Sequence, residues 1–158
     1  LGHRAGAISI LNPAPATPVP PEAFADIDIV TPNHTELRIL LGRRPDDPTD
    51  SKDLCAELLR LGVRTVLLTQ GEQGALIVRA DGVQQVMSHR VDVVDTTGAG
   101  DSFNAGLIYG FLAGMDTADR MRFANACGAL ATERIGGASS APDLEEVERY
   151  MLRFSERG

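Results

Sequence analysis

Short apolar runs and stretches of helical period alternate along most of this chain. Ala7-Ile8-Ser9-Ile10-Leu11 predicts a buried strand, and Ile27-Asp28-Ile29-Val30-Thr31 a second. Between them lies a proline-rich connection, extended because each proline fixes its own φ and disfavours helix in its predecessor. Asn33 is placed to N-cap a helix carrying Glu36, Leu37, Ile39, Leu40 and Leu41, which Gly42 closes. Leu54, Leu58, Leu59 and Leu61 mark an amphipathic helix that stops at Gly62. Thr65-Val66-Leu67-Leu68-Thr69 reads as an interior strand leading into Gln70-Gly71-Glu72-Gln73-Gly74. Ala75 to Arg79 and Val83 to Met87 flank Asp81-Gly82, which predicts a hairpin. Val91, Val93 and Val94 predict the end of a further strand. Helices are expected from Phe103 to Leu112, from about Thr117 to Glu133, and from Leu144 to Phe154. This order predicts an α/β fold with a mostly parallel sheet covered on both faces, with no internal repeat and no second domain.

The predicted elements converge chemically on Asp95-Thr96-Thr97-Gly98-Ala99-Gly100-Asp101-Ser102-Phe103. A strand end, a glycine turn and a helix start in that order direct several N–H groups and a helix N-terminus at one point, an anion site suited to phosphate. Asp101 at the mouth of the same helix is either an N-cap or a base that takes a proton from a nucleophile facing the phosphate. No Lys-Ser/Thr follows the glycines, so this is not a P-loop. Nor is it the Gly-x-Gly-x-x-Gly run of a dinucleotide fold. Asn33 and Glu36 also have two readings. They form either a capping box or a carboxylate that holds the water ligands of Mg²⁺ beside a triphosphate.

Composition narrows the partners. The 158 residues carry a formal charge of −7 and only 4% aromatics, which argues against nucleic acid as a partner. No apolar run approaches the ~20 residues a bilayer span needs, so no membrane partner is expected. Cys55 and Cys127 lie in apolar helical contexts without ligand spacing, and are expected as buried thiols in a reducing cytoplasm. His3, His34 and His89 share no metal-ligand spacing and read as surface residues. The single lysine, Lys52, falls in a solvated helix start. Asp143, Glu145, Glu146 and Glu148 read as the N-terminal end and solvent face of the last helix.

Thr96-Thr97-Gly98-Ala99-Gly100-Asp101-Ser102-Phe103 resembles the C-terminal signature of the PfkB (ribokinase-like) carbohydrate kinases. Asn33-x-x-Glu36 resembles the Asn-x-x-Glu motif of that family, and Thr69-Gln70-Gly71-Glu72-Gln73-Gly74 its nucleotide loop. The resemblance runs from about Ala7 to Leu152. Asn12-Pro13-Ala14-Pro15-Ala16, Val30-Thr31-Pro32-Asn33 and Gly136 to Pro142 are most similar to the members that phosphorylate ribose.

The resemblance implies a three-layer ribokinase-like fold and phosphoryl transfer from ATP to a sugar hydroxyl, D-ribose giving D-ribose 5-phosphate; a kinase of the same family for another sugar or a nucleoside, or a non-catalytic nucleotide-binding module, stays open as an alternative. It implies Asp101 as the base that meets the sugar, with Gly98, Ala99 and Gly100 as anion hole. Asn33 would touch the nucleotide phosphates and Glu36 would organise Mg²⁺ through water. Thr69, Gly71 and Gly74 would line the ATP groove, with Asn125 near the adenine or ribose, and Gly100 and Asp101 would also face the nucleotide. Asp95, Thr97, Ala131, Arg134, Gly136 and Ser140 match the positions that bind an activating K⁺, several through carbonyls. Full members of the family are about twice this length. Their N-terminal half carries a Gly-Gly-Lys-Gly sugar motif and a β-sheet lid, neither of which is found here. The expectation is therefore a C-terminal ATP-binding portion over residues 1–158, poorly active alone and prone to associate with itself or with the missing half.

Overall fold

The computed structural model describes residues 6–88 and 90–155; His3 and His89 lie outside them. The chain forms two compact units, one of residues 1–70 with 75–85, the other of 71–74 with 86–158.

The first unit is built on a five-stranded sheet in the order β1-β2-β3-β4-β5. Its strands are β1 (Ile10–Leu11), β2 (Ile29–Val30), β3 (Thr65–Thr69), β4 (Ala75–Arg79) and β5 (Gly82–Val86), whose last residue belongs to the second unit. β1, β2 and β3 pair in parallel, while β3 and β4 pair antiparallel with Leu67 opposite Ile77. The parallel pairs need crossover connections, which the proline-rich loop and helices α1 (His34–Leu40) and α2 (Ser51–Arg60) supply. Alternate strand positions Val30, Val66, Leu68, Leu76 and Val78 form one core with Leu37 and Leu40 of α1 and Leu54 and Leu58 of α2. Leu67 and Ile77, of opposite parity, are buried too, so β3 and β4 read as continuous apolar runs.

Two expected strands contract, Ala7–Leu11 to β1 and Ile27–Thr31 to β2, and a third does not form. β1 covers only the last two residues of the Ala7–Leu11 run. The Ser9 N–H donates to Asp28 Oδ2 at 2.8 Å and its hydroxyl to the same oxygen at 2.9 Å. Ser9 is thus held by a side chain, and Ile8 stands 52% exposed. The same contact satisfies Asp28, a carboxylate only 7% exposed that also meets Arg64 at 3.1 Å. The run from Val91 to Val94 forms no strand. Val94 and Asp95 instead donate their N–H groups to the Thr132 carbonyl at 2.7 and 3.1 Å, leaving the Val94 side chain 58% exposed.

The second unit is helical: α3 (Ala99–Leu112), α4 (Thr117–Ala131) and α5 (Leu144–Ser155). α3 and α4 run antiparallel. Gly106 faces Ala124 and Cys127, Gly110 faces Arg120, and Gly128 meets Ala99 and Phe103. The approach is close, because a Cβ on Gly106 would stand 2.7 Å from the Cys127 sulfur. Phe123, Ala126, Cys127 and Leu130 of α4 pack with Val147 of α5. α4 ends two residues before the expected Glu133, since the Thr132 hydroxyl turns back to the Ala129 carbonyl at 2.7 Å. Cys55 and Cys127 are free and buried, and burial pushes both thiols up to about 12. Among the described residues no helix is long and apolar enough to cross a membrane.

Candidate active site

In the first unit, Asn33 caps α1. Its Oδ1 accepts the Thr35 and Glu36 N–H groups, both at 2.9 Å, and Glu36 Oε2 accepts the Asn33 N–H at 2.8 Å. The capping-box reading of this pair is therefore realised. It leaves the Asn33 amide NH₂ and Glu36 Oε1 without a partner among the described residues, so both can face a ligand while the box stays closed. Thr69, at the end of β3, is held beside them: its N–H and hydroxyl both reach the Pro32 carbonyl, at 2.9 and 3.3 Å, and Asn33 bridges to Thr69. Asn33 thus stands next to Thr69 on one side and is bonded to Glu36 on the other. His34 is exposed and meets the Ser51 hydroxyl at 2.7 Å, and Lys52 is exposed in the first turn of α2.

The second unit carries the remaining candidates. Four of the five helices are entered through a side-chain acceptor. Asn33 serves α1, Asp50 α2 (2.7 Å to Lys52 N–H), Asp116 α4 (2.8 Å to Asp119 N–H) and Asp143 α5 (2.8 Å to Glu146 N–H). α3 is entered through Gly98, with φ 80° and no side-chain cap. Gly98 is the N-cap, so Asp101 is not: it sits in the first turn, exposed, and its side chain makes no hydrogen bond among the described residues. Nor are the free donors the three that the motif implied. The Ala99 N–H is engaged by the Thr96 carbonyl at 3.2 Å, which leaves Gly98, Gly100 and Asp101 to offer N–H groups. Asn104, one turn on, donates to the Gly100 carbonyl at 2.8 Å and fixes that turn from inside the helix.

The turn is braced from behind. Asp95 Oδ1 accepts the Thr97 N–H at 2.9 Å and Oδ2 the Gly136 N–H at 3.3 Å. The Thr97 N–H first, then the Thr97 hydroxyl and the Gly136 N–H, hold the Asp95 carboxyl below the usual range. Gly98 lies against Gly137, where a Cβ would stand 3.0 Å from the Gly137 oxygen. The Ser140 N–H reaches the Gly136 carbonyl at 3.1 Å and its hydroxyl the Gly137 carbonyl at 2.9 Å. Of the six expected cation positions, Asp95, Thr97, Gly136 and Ser140 are linked in this one bonded cluster. Ala131 is buried at the end of α4, and the Arg134 guanidinium is turned to Glu146. Thr132 and Gly137 complete the brace; Gly137 belongs to the Gly136–Pro142 segment that carries the resemblance but has no role assigned by it, and Thr132 has no signal in the sequence.

Gly71 opens a 3₁₀ turn that Gly74 closes, N–H to the Gly71 carbonyl at 2.9 Å. Gly74 has φ 83°, and a Cβ there would overlap the Val86 oxygen at 2.2 Å. Asn125 is 5% exposed, and its NH₂ donates to the Val86 and Met87 carbonyls at 3.0 and 3.3 Å. Its donors are therefore committed to the chain that backs Gly74.

A partly parallel α/β sheet, an open glycine turn and a free carboxylate one residue past it define an α/β fold of the ribokinase-like kind. Residues 1–144 match the pfkB family carbohydrate kinases, and the chain belongs to that family. It is 35% identical over 145 residues to a ribokinase of Staphylococcus aureus, covering 91% of this chain and 48% of the relative. The solved ribokinase of Thermotoga maritima superposes with a TM-score of 0.87 at 30% identity, over 96% of this chain and 51% of that one. The Arabidopsis thaliana ribokinase complexed with ribose and ATP superposes with a TM-score of 0.83 at 33% identity, over 92% and 48%. The chain thus spans about half the length of the relatives it matches.

Proposed function

We propose that this chain is the C-terminal, ATP-binding portion of a kinase that transfers the γ-phosphoryl group of ATP to a hydroxyl of D-ribose. The observation that carries this reading is the start of α3, which has no side-chain cap and leaves the Asp101 carboxylate unengaged. Free N–H donors act most strongly on charge that develops on a transferred phosphoryl group, because they need no reorganisation when it forms. Asp101 takes the proton of the attacking sugar hydroxyl as the new P–O bond forms and the bond to the ADP oxygen breaks.

Asn33, Thr69, Gly71 and Gly74 serve the nucleotide, in the roles implied by the family resemblance. Glu36 fits Mg²⁺, since its Oε1 stays available while Oε2 closes the cap. Mg²⁺ neutralises phosphate charge when bound. A K⁺ at Asp95, Thr97, Gly136 and Ser140 fits the bonded cluster behind Gly98, where it would stiffen the turn whose N–H groups are in use; Ala131 and Arg134 join that set by the family resemblance alone. The residues that choose and orient the sugar lie in an N-terminal half with its lid, outside these 158 residues. Orientation supplies much of the barrier reduction, so this chain alone turns over slowly. An ADP-release assay with ribose tests this. The reading expects a rate near background for the chain alone, and a rate close to that of a full-length relative would overturn the assignment as a portion.

A further inference from the structure

Asn125 lies in the middle of α4, yet its side chain serves neither its own helix nor solvent. Burying an amide is costly unless it is bonded, and this one donates to two successive carbonyls, Val86 at 3.0 Å and Met87 at 3.3 Å. The Val86 oxygen is also the atom against which Gly74 closes. A Cβ on Gly74 would stand 2.2 Å from it and 2.5 Å from the Ser88 nitrogen, so the 71–74 turn rests directly on the segment Asn125 holds. Gly128, three residues further along α4 and on the same face, meets the other turn. A Cβ there would stand 3.2 Å from the Ala99 oxygen, in the first turn of α3. One face of α4 therefore touches the backing of the 71–74 turn at one point and the open start of α3 at the next.

We infer that Asn125 is a positioning residue: through Val86 and Met87 it fixes the 71–74 turn, and Gly128 keeps that turn in register with the Gly98–Asp101 helix start. The inference rests on the reading that the 71–74 turn receives the nucleotide. It gives Asn125 a role beside the adenine or ribose contact that the resemblance implies, since its amide nitrogen is engaged by the Val86 and Met87 carbonyls and only Oδ1 is left to meet a nucleotide.

The test compares Asn125→Ala and Asn125→Asp with Cys127→Ala, a buried truncation on α4 that touches neither carbonyl. Amide exchange without nucleotide is expected to speed up at Gly74 about tenfold relative to α4 amides in both Asn125 variants, and to stay within about twofold in Cys127→Ala. Titration with MgATP is expected to show affinity about tenfold weaker for the Asn125 variants alone. Unchanged Gly74 protection, or equal loss in Cys127→Ala, overturns the positioning role. If wild-type chain fails to bind MgATP while the exchange contrast persists, the positioning role is supported and the nucleotide reading of the turn falls.

Discussion

The starts of α1 and α3 carry an acid at the same place, three residues past the N-cap, with opposite results. At α1 the N-cap is Asn33 in extended backbone, φ −88° and ψ 179°, which aims its side chain back over the first turn. Glu36 completes the box and the helix end is satisfied from within. At α3 the N-cap is Gly98 with φ 80° and ψ −1°, which has no side chain and a backbone unsuited to placing one. Asp101 therefore has no reciprocal partner, and the donors stay open. The acid alone does not decide the role; the residue before the helix does. A closed start gives stability at its own site, whereas an open one leaves donors and carboxylate to something outside the chain.

The largest effect expected from this contrast falls on Asp101. In the enzyme at the full length of its relatives, Asp101→Asn lowers sugar-dependent turnover by about 10²–10⁴ while ATP affinity stays within about twofold. A retained rate in steady-state kinetics removes Asp101 from the base role. Next come the glycines, whose cost is in folding. Gly74→Ala forces a left-handed backbone and a backbone overlap, for a loss of about 3 kcal/mol in urea denaturation. Gly98→Ala, with a 3.0 Å approach to Gly137, costs about 1–2 kcal/mol.

The closed start answers to smaller changes that separate its two roles. Asn33→Ala costs about 1 kcal/mol of stability, as for other lost caps. Glu36→Gln keeps the acceptor for the Asn33 N–H, so stability stays within about 0.5 kcal/mol, while the Mg²⁺ needed for half-maximal ATP binding rises. An unchanged Mg²⁺ requirement reduces Glu36 to a cap.

The smallest effect is on pH. Asp95 has a folded pKa below its unfolded value of about 3.9, so its contribution is present at neutral pH and lost as pH falls through the folded value. NMR titration should show the Thr97 and Gly136 amides constant down to about pH 4 and moving only below it. A midpoint above that, or the same titration in Asp95→Asn, contradicts the bracing role.

Features set within a few residues were legible in the sequence. The Asn33 cap, the helix stops near Gly42 and Gly62, the Asp81-Gly82 hairpin and the 3.6-residue period of α5 all read directly from neighbours in the chain. What was lost depends on partners far away. The Ser9 N–H turns to the Asp28 side chain across from it while its carbonyl still meets Ile29, and Val91 to Val94 cannot form a strand while Val94 and Asp95 share the Thr132 carbonyl. The candidate site divides in the same way. The glycine turn and Asp101 were found as a motif. That Ala99 is a spent donor, that Asp101 offers its own N–H, and that Asn125 faces inward follow from contacts no local pattern encodes.

The central claim is that the open start of α3 is an anion site. A titration of this chain with a non-hydrolysable ATP analogue and Mg²⁺, followed by backbone amide NMR, tests it most directly. The account predicts that the Gly98, Gly100 and Asp101 amides shift saturably, while Ala99, already bonded to Thr96, moves least of the four. Saturable binding that leaves Gly98, Gly100 and Asp101 unmoved, or no binding, would contradict it.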